Sequence, residues 1–399
     1  MNERLLSGCI ILIFIIFLYP DYSYSKKIRG VSNKEIKIGV IYDQTGPATV
    51  VTLMATEAFR NYFRNLNDSG GIHGRKIKLI IEDDRYQVPA TIAAYKKLVS
   101  RDSVFALLGP GSSQGFLAVQ LRILKDKVPT LMPSTSDRVV VPAKHYIFAN
   151  GPTYQDQMKI VFQYINNNLK YKSPRIAFIR ADNERGRISF NAVNESSKKY
   201  GFKLVATEVL DPRAIESTSE ILKIKMKKPD FVVMNIMVPN LFGLMRSAKQ
   251  IGLDAWFIGE HYLTSTGILE TMGSVAEKYI GGGICSPWYH DSSEMTNLRA
   301  ITLKYNPGTE KPFRNSCYTQ GWCDAIILSE SLKRTGKDIN IEAFIKALET
   351  LNEFDMKDLC GNVTFTSMNH KGSNYLKMYK VDIKRQRLVS VSDWIKPEF

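Results

Sequence analysis

Short apolar runs alternate with segments of helical periodicity over the first 150 residues. Helices are predicted over 52–66 and 89–99 and again after Ser113. The apolar runs between them are EIKIGVIY, KIKLIIED, VFALLG and VPTLMPS. Runs that are apolar on both faces and separated by single helices predict parallel strands in a doubly wound α/β sheet.

The same alternation restarts after the turn-forming tripeptide NGP at 150–152. Helices are predicted to begin near residues 186, 217 and 239. The strands predicted around them are RIAFIRA, FKLVATEVL, FVVMNIM and WFIGE. Two α/β units of similar size predict two Rossmann-like lobes.

The last third of the chain does not simply continue either alternation of strands and helices. Helices are predicted over 298–304, 318–334 and 341–348, and the alternation in VTFT and YLKMYKVD predicts antiparallel edge strands. A chain that returns to each lobe in turn accounts for these segments, and its crossings form a multi-strand hinge. The expected division is a first lobe of 33–150 plus 286–355 and a second lobe of 151–285 plus 356–399.

The N-terminus has the layout of a secretory signal peptide. Arg4 precedes eleven apolar residues, CIILIFIIFLY, and Pro20 and the small-residue pattern SYS at 23–25 follow them. Eleven residues are too few to span a bilayer comfortably, which favours cleavage over an uncleaved anchor. Residues 1–25 are therefore predicted to be a signal peptide, and the mature protein to be periplasmic or secreted.

The formal net charge of +15 suggests nucleic acid as one class of partner. The basic residues are scattered, however, and their one short cluster, at 223–228, is not interleaved with aromatic side chains. We therefore expect a solvated, weakly anion-attracting surface on a monomer that does not bind nucleic acid. The five histidines are isolated and the cysteines lack C-x-x-C spacing, so no metal and no cofactor are expected.

Four cysteines follow the predicted signal peptide. They are Cys285, Cys317, Cys323 and Cys360. In an oxidising compartment they can form two disulfides in any of three pairings, or they can remain free and buried. Cys317 and Cys323 lie six apart on a predicted helix and do not share a helical face, which argues against a bond between those two.

The stretch GPGSSQGF at 109–116 contains a match to the G-x-S-x-G pattern, in which Ser113 would be a hydrolase nucleophile. Such a serine stands directly on the end of its strand, whereas Gly109-Pro110 inserts a turn here. A second hydroxyl-rich loop, PSTS at 133–136, follows the next strand. A binding site uses such a loop and a catalytic triad does not, so a serine hydrolase is the less favoured alternative.

Ligands of open α/β sheets bind outside the carboxyl ends of the strands, where both of these loops lie. The hydroxyls and the amides at the start of the following helix form a set of donors suited to a carboxylate. Helix capping is the competing interpretation of each loop. The candidate binding residues in the two loops are Ser112, Ser113, Gln114, Ser134, Thr135 and Ser136.

Several longer stretches follow one another in a characteristic order. They are KIGVIYDQTGP, GGIHGRKIKLIIEDD, GPGSSQG, VPTLMPSTS, RADNERGR, KPDFVVMNIM, GLDAWFIGE, YTQGWCDA and HKGS. Together they resemble the extracytoplasmic solute-binding proteins of the leucine/isoleucine/valine-binding type, which have the type I periplasmic binding fold. The resemblance covers nearly all of 35–394. It implies a non-enzymatic two-lobed trap that delivers a small solute to an ABC-type membrane permease. A ligand-sensing protein that serves a separate receptor is the alternative.

The resemblance also implies which residues contact the ligand. Family members that bind α-amino acids grip the carboxylate with first-lobe residues that match Ser113, Ser134 and Ser136. On the side that holds the amino group, the tyrosine found after the family's T-G-P motif falls near Val51 and the tyrosine of its D-x-Y-G stretch falls at Arg185. Another second-lobe aromatic falls near Met237. The acidic residue that would hold an ammonium group aligns with Glu260 or His261.

The loss of those aromatic positions changes the expected ligand. A buried ammonium group needs paired acceptors, so a carboxylate with an apolar or aromatic body is expected in preference to an amino acid. Arg185 is a candidate bidentate partner for a carboxylate or another acceptor. The candidate aromatic walls are Tyr42, Tyr154, Tyr262, Trp288 and Tyr318.

Overall fold

The computed structural model describes residues 28–133, 135–264, 267 and 269–398. The predicted signal peptide and Ser134 lie outside the described residues. The first sheet has the strand order β2-β1-β3-β4-β5 and is parallel throughout. Its strands are β1 Glu35–Tyr42, β2 Lys76–Asp83, β3 Ala106–Leu108, β4 Thr130–Met132 and β5 Ile147–Ala149.

Helices connect the strands of the first sheet as the alternation predicts. They are α1 Thr49–Asp68, α2 Val88–Lys96, α3 Ser113–Asp126 and the short α4 Asp137–Val140. The side chains of β1 are buried from Ile38 to Tyr42, which is the pattern of a strand covered on both faces.

The second sheet has the order β12-β11-β10-β9-β8-β6-β7. Its strands are β6 Arg175–Ala181, β7 Lys203–Leu210, β8 Phe231–Asn235, β9 Trp256–Gly259, β10 Tyr279–Gly283, β11 Leu376–Asp382 and β12 Arg387–Ile395. Strands β6 to β10 are parallel, and β11 and β12 add an antiparallel edge. The helices of this lobe are α5 Tyr154–Asn167, α6 Glu184–Tyr200, α7 Thr218–Met226, α8 Val238–Ile251 and the short α9 His261–Thr264.

Three helices of the last third pack on the first lobe. They are α10 Ser293–Tyr305, α11 Ser316–Thr335 and α12 Ile341–Glu349. Helix α11 lies along α1, and a Cβ atom on Gly321 would sit only 2.6 Å from the carbonyl oxygen of Ala55. Glycine at 321 therefore permits the close approach of the two helices.

Two strand predictions in the last third are wrong in detail. The YLKMYKVD segment forms β11, which is an internal strand because β12 covers it; β12 itself was not predicted. The VTFT segment makes only isolated bridges, from Val363 to Phe354 and from Thr366 to Asn369. This segment is part of a connection and belongs to neither sheet.

The chain passes between the two sheets three times, and the passing segments contact one another. Ala149 exchanges backbone hydrogen bonds with the third crossover, from its amide to His370 O (2.9 Å) and from Gly372 N to its carbonyl (2.7 Å). Cys285 in the second crossover forms an antiparallel bridge with Cys360 in the third. The predicted fold, two doubly wound lobes with a multi-strand hinge, is confirmed.

None of the helices in the described ranges combines the length and the apolar character that crossing a membrane requires.

Candidate ligand-binding site

A cavity of about 50 Å³ lies between the lobes at the carboxyl ends of the strands. Its first-lobe wall is formed mainly by the end of β1 and the start of α1, and its second-lobe wall by the starts of α5, α6 and α8. Five sequence candidates line it: Tyr42, Val51, Tyr154, Arg185 and Met237. Tyr262, predicted as an aromatic wall, lines it as well.

Arg185 is the charged centre of the second-lobe wall. Asn183 caps α6 through its side chain, which accepts a hydrogen bond from Gly186 N, and this cap places Arg185 in the first turn. The guanidinium is buried, with the residue 8% exposed, and its Nη1 lies 3.6 Å from Oε1 of the fully buried Glu260. Its Nη2 donates to the carbonyl of Ile236, whereas its Nε has no hydrogen-bond partner among the residues that the structure describes.

The ion pair stabilises two charges that burial opposes. Burial disfavours the charged guanidinium, but the field of Glu260 and of nearby tyrosines outweighs it, so the pKa of Arg185 is raised. Burial raises the pKa of Glu260, while Arg185 and the amides of Tyr262 and Leu263 lower it in part. Removing either partner would leave the other uncompensated.

Aromatic rings enclose the guanidinium. Its carbon lies 5.5 Å from the ring centre of Tyr154 and 6.0 Å from that of Tyr262, which is within the range of cation–π attraction. Tyr86 also lines the cavity. Sequence reasoning missed Tyr86, although its place just beyond the carboxyl end of β2 was a usable signal.

The first hydroxyl loop supports the cavity from behind. Ser112 is the N-cap of α3 and accepts from Gly115 N at 2.9 Å, so the capping interpretation describes its side chain. Ser113 lies 3.2 Å from the Thr135 hydroxyl and is hydrogen-bonded to the Tyr154 hydroxyl. Gln114 is exposed. Gly111 lines the cavity directly.

The second hydroxyl loop is likewise used for capping where it is described. Ser136 caps α4 and accepts from Arg138 N at 3.2 Å. Thr135 is fully buried, and its carbonyl accepts from Tyr154 N. These contacts fix the position of Tyr154, so the loop acts on the cavity through that tyrosine.

His261 joins the two lobes next to Glu260. Its Nε2 lies 3.1 Å from Oε1 of Gln320 on α11, and its Nδ1 accepts from Ile284 N at 3.3 Å. Burial lowers the pKa of His261 to about 4, so the ring is neutral and carries its proton on Nε2. Gln320 lines the cavity and was not among the sequence candidates.

Two predicted aromatic walls lie elsewhere. The Tyr318 hydroxyl is bonded to Thr302 (2.6 Å) and Asn61 (3.0 Å) inside the first lobe. Trp288 packs edge-on against the Tyr318 ring, with the two ring centres 5.6 Å apart. The placement of Tyr318 at the ligand is therefore corrected. Helix α11 turns this residue towards α1 and α10, while Gln320 points to the cavity.

The surroundings of Ser113 do not resemble those of a nucleophile. The hydroxyl contacts two other hydroxyls, and neither is a general base. His261 uses both ring nitrogens for Gln320 and the Ile284 amide. The geometry is that of a supporting hydrogen-bond network.

The sequence matches a family model described as periplasmic binding protein over residues 35–387. The chain belongs to the periplasmic binding protein family. This assignment confirms the resemblance and places the protein in an extracytoplasmic family of ligand-binding transport components. The matched segment includes every residue described at the cavity and all strands of both sheets except β12.

Individual relatives are distant. An amino acid binding protein of Pseudomonas aeruginosa strain PAO1 is 23% identical over 328 residues, which are 82% of this chain and 85% of that protein. Among solved structures, a branched-chain amino acid ABC transporter protein of Thermus thermophilus with bound valine has a TM-score of 0.84 and 19% identity, covering 92% of this chain and 98% of that one. A fatty acid ABC transporter substrate-binding protein from Thermomonospora curvata has a TM-score of 0.82 and 20% identity, covering 94% and 95%. At these identities the structures establish the shared fold.

Proposed function

We propose that this protein captures a small organic carboxylate with an apolar or aromatic body and delivers it to an ABC-type membrane permease. The observation that carries the ligand class is the Arg185–Glu260 ion pair at the cavity wall. The family assignment supports the transport role.

The ion pair gives Glu260 a partner that an α-amino acid ligand would otherwise provide. Glu260 is fully buried and already faces the guanidinium at 3.6 Å. A ligand ammonium group at the same place would set a second cation against Arg185 inside a region of low dielectric constant, which is costly. An acid without an amino group avoids this repulsion.

Arg185 also has a hydrogen-bond donor, its Nε, that could bind a ligand. Its Nε is buried and has no hydrogen-bond partner within the described part of the chain, and a buried donor in that condition lowers stability. A ligand carboxylate that accepts from Nε and from the Tyr154 hydroxyl would satisfy it with a charge-assisted hydrogen bond. Replacing the carboxylate by an uncharged group is expected to weaken ligand binding by about 2 kcal/mol, because this hydrogen bond is lost.

The rest of the cavity suits an apolar body. Val50, Val51 and Ala55 line it from the first lobe, and Met237 and Val238 from the second. The 50 Å³ volume corresponds to about four water-sized groups, so a compact ligand fits the lobes as they stand and a larger one requires them to separate. A branched-chain acid or a benzoate-type acid is therefore the preferred candidate.

The decisive experiment is a calorimetric and thermal-shift comparison of three matched ligand sets. Each set contains an acid, the amino acid with the same body, and the uncharged amide; 4-methylpentanoate, leucine and 4-methylpentanamide form one set. Isovalerate, valine and isovaleramide form the second, and phenylacetate, phenylalanine and phenylacetamide the third. A ligand that binds only the folded state raises its melting temperature.

The expected result is binding of at least one acid with a 30-fold or larger preference over its amide and its amino acid, about 2 kcal/mol. Glu260→Gln sharpens the test because it removes the acidic partner and keeps the guanidinium. Acid binding is expected to survive that substitution. Binding of an amino acid that is abolished by Glu260→Gln would contradict the proposal and assign Glu260 to an ammonium group.

A further inference from the structure

Three of the four cysteines that follow residue 25 meet at the hinge. Their Sγ atoms all lie within 4.8 Å of one another, and the side chains of Cys285, Cys323 and Cys360 are buried. Cys285 lies in the second crossover between the lobes, Cys360 in the third, and Cys323 on α11. The sequence alone left the pairing of these residues open.

The backbone singles out one of the three possible pairs. Cys285 and Cys360 face each other as an antiparallel bridge, and the bond from Ser286 N to Leu359 O (2.8 Å) flanks the pair. The two cysteines therefore form a non-hydrogen-bonded pair, in which the Cα atoms are about 4.5 Å apart. This separation falls within the range that a disulfide spans. Cys323 approaches from a helix and has no such backbone pairing with either residue.

We propose that Cys285 and Cys360 form a disulfide that ties the second and third interlobe crossovers together, with Cys323 as an unbonded thiol beside it. A neutral disulfide suits this place because the cluster belongs to the apolar core. Three thiolates around a metal ion would add negative charge close to Asp324 and Asp358, both of which act electrostatically on these sulfurs.

The neighbouring groups act on the sulfurs in the folded hinge. Hydrogen bonds from the thiols of Cys285 and Cys323 lower the pKa of Cys360 there. Asp324 lies close to the cluster and is bonded to Asn150 of the first crossover at 2.8 Å. Burial raises the pKa of Asp324, and a neutral disulfide places no further charge beside this carboxyl.

The bond would form in an extracytoplasmic compartment during folding, before the hinge closes over the sulfurs. One of the two cysteines, as its thiolate, attacks the disulfide of a thiol–disulfide oxidoreductase and displaces one of its thiolates. The other cysteine loses its proton and attacks the mixed disulfide at the sulfur of the first, which displaces the second thiolate of the oxidoreductase. Two protein thiols thereby lose two protons and two electrons, and the oxidant's disulfide becomes a dithiol.

The test uses the mature protein, residues 26–399, exported to the periplasm and purified without a reductant, so that Cys9 of the predicted signal peptide contributes no thiol. After denaturation, two reactive thiols are expected before reduction and four after it, with a mass increase of about 2 Da on reduction, two hydrogens per cleaved disulfide. Peptide mapping should recover residues 285 and 360 in one cross-linked peptide. Because the bond closes the loop 286–359, reduction is expected to lower the melting temperature by about 5 °C.

Variants separate this bond from other uses of the cluster. Cys323→Ala and the matched control Cys317→Ala, outside the cluster, should each keep the cross-link, whereas Cys360→Ala should lose it. Four free thiols before reduction, or a cross-link between any other pair, would overturn the proposal. Stoichiometric zinc or copper in the purified protein, lost equally in Cys323→Ala and Cys360→Ala, would also overturn it and identify a metal site.

Discussion

The hydroxyls behind the first-lobe wall of the cavity mostly serve the fold, whereas the second-lobe wall contains the charges. Ser112 and Ser136 cap helices, and Ser113 lies beside the hydroxyls of Thr135 and Tyr154. Arg185, by contrast, lies at the cavity with an Nε donor that has no partner among the described residues, and its ion-pair partner Glu260 is wholly buried behind it. Under the proposed function, the first lobe shapes the site and the second lobe selects the ligand.

The largest expected effect follows from removing the second-lobe charge. Arg185→Met leaves the Glu260 carboxylate buried without its cationic partner, which is expected to cost about 3–5 kcal/mol of unfolding free energy. Acid binding should also fall by about 100-fold, since a charge-assisted hydrogen bond is lost. Chemical denaturation and calorimetry measure the two quantities separately.

Two companion variants keep folding and binding apart. Arg185→Met/Glu260→Gln removes both charges and should regain much of the lost stability without regaining acid binding. Arg187→Met, on the same helix with a side chain 53% exposed, should change stability by no more than about 0.5 kcal/mol. Wild-type affinity in the double variant would show that the second-lobe charge does not select the ligand.

An intermediate effect is expected from His261, which joins the second-lobe wall to the first lobe. Its pKa is lowered from 6.5 in the unfolded chain to about 4 in the folded protein. A lowered pKa means that the stabilisation is fully present above pH 6.5 and is lost as the pH falls towards 4. At pH 4 this titration is expected to have lowered the free energy of unfolding by about 3 kcal/mol.

His261→Gln isolates that contribution, because glutamine does not titrate. At pH 7.5 the variant should be about 1 kcal/mol less stable than the wild type, since the ring's hydrogen bonds to Gln320 and the Ile284 amide are disrupted. Denaturation curves at pH 7.5, 5.5 and 4.5 should show this difference shrinking and then reversing. Parallel curves for the two proteins would contradict the assignment.

The alternation of apolar strands and helices was sufficient to predict two doubly wound lobes, because buried parallel strands leave a plain signal in β1 or β8. The strands that were not predicted include β5, which has three residues, and β12, an edge strand of nine residues. The aromatic residues that line the cavity were harder to predict. Helix α11 is buried over most of its length, so its hydrophobic periodicity does not separate the face towards the cavity from the face towards the core.

The family resemblance identified Arg185 and Glu260 as candidate residues, but the ion pair between them was not predicted. Arg185 and Glu260 were treated as independent candidates, since they lie far apart in the sequence and on connections of different strands. Both follow strands of the second sheet at their carboxyl ends, where the topology brings them together. Residue identity was predictable, whereas the partner of each charge depended on the three-dimensional structure.

The smallest expected effects compare two adjacent serines of the first lobe. Ser112→Ala removes the α3 cap and should cost about 1 kcal/mol of stability with little change in affinity. Ser113→Ala removes the hydroxyl bonded to Tyr154 and should weaken acid binding about 5-fold through a less firmly held ring. Calorimetry on the two variants decides whether the first lobe grips the ligand directly. A 100-fold loss in Ser113→Ala would mean that this hydroxyl contacts the carboxylate itself and that selection is shared equally by both lobes.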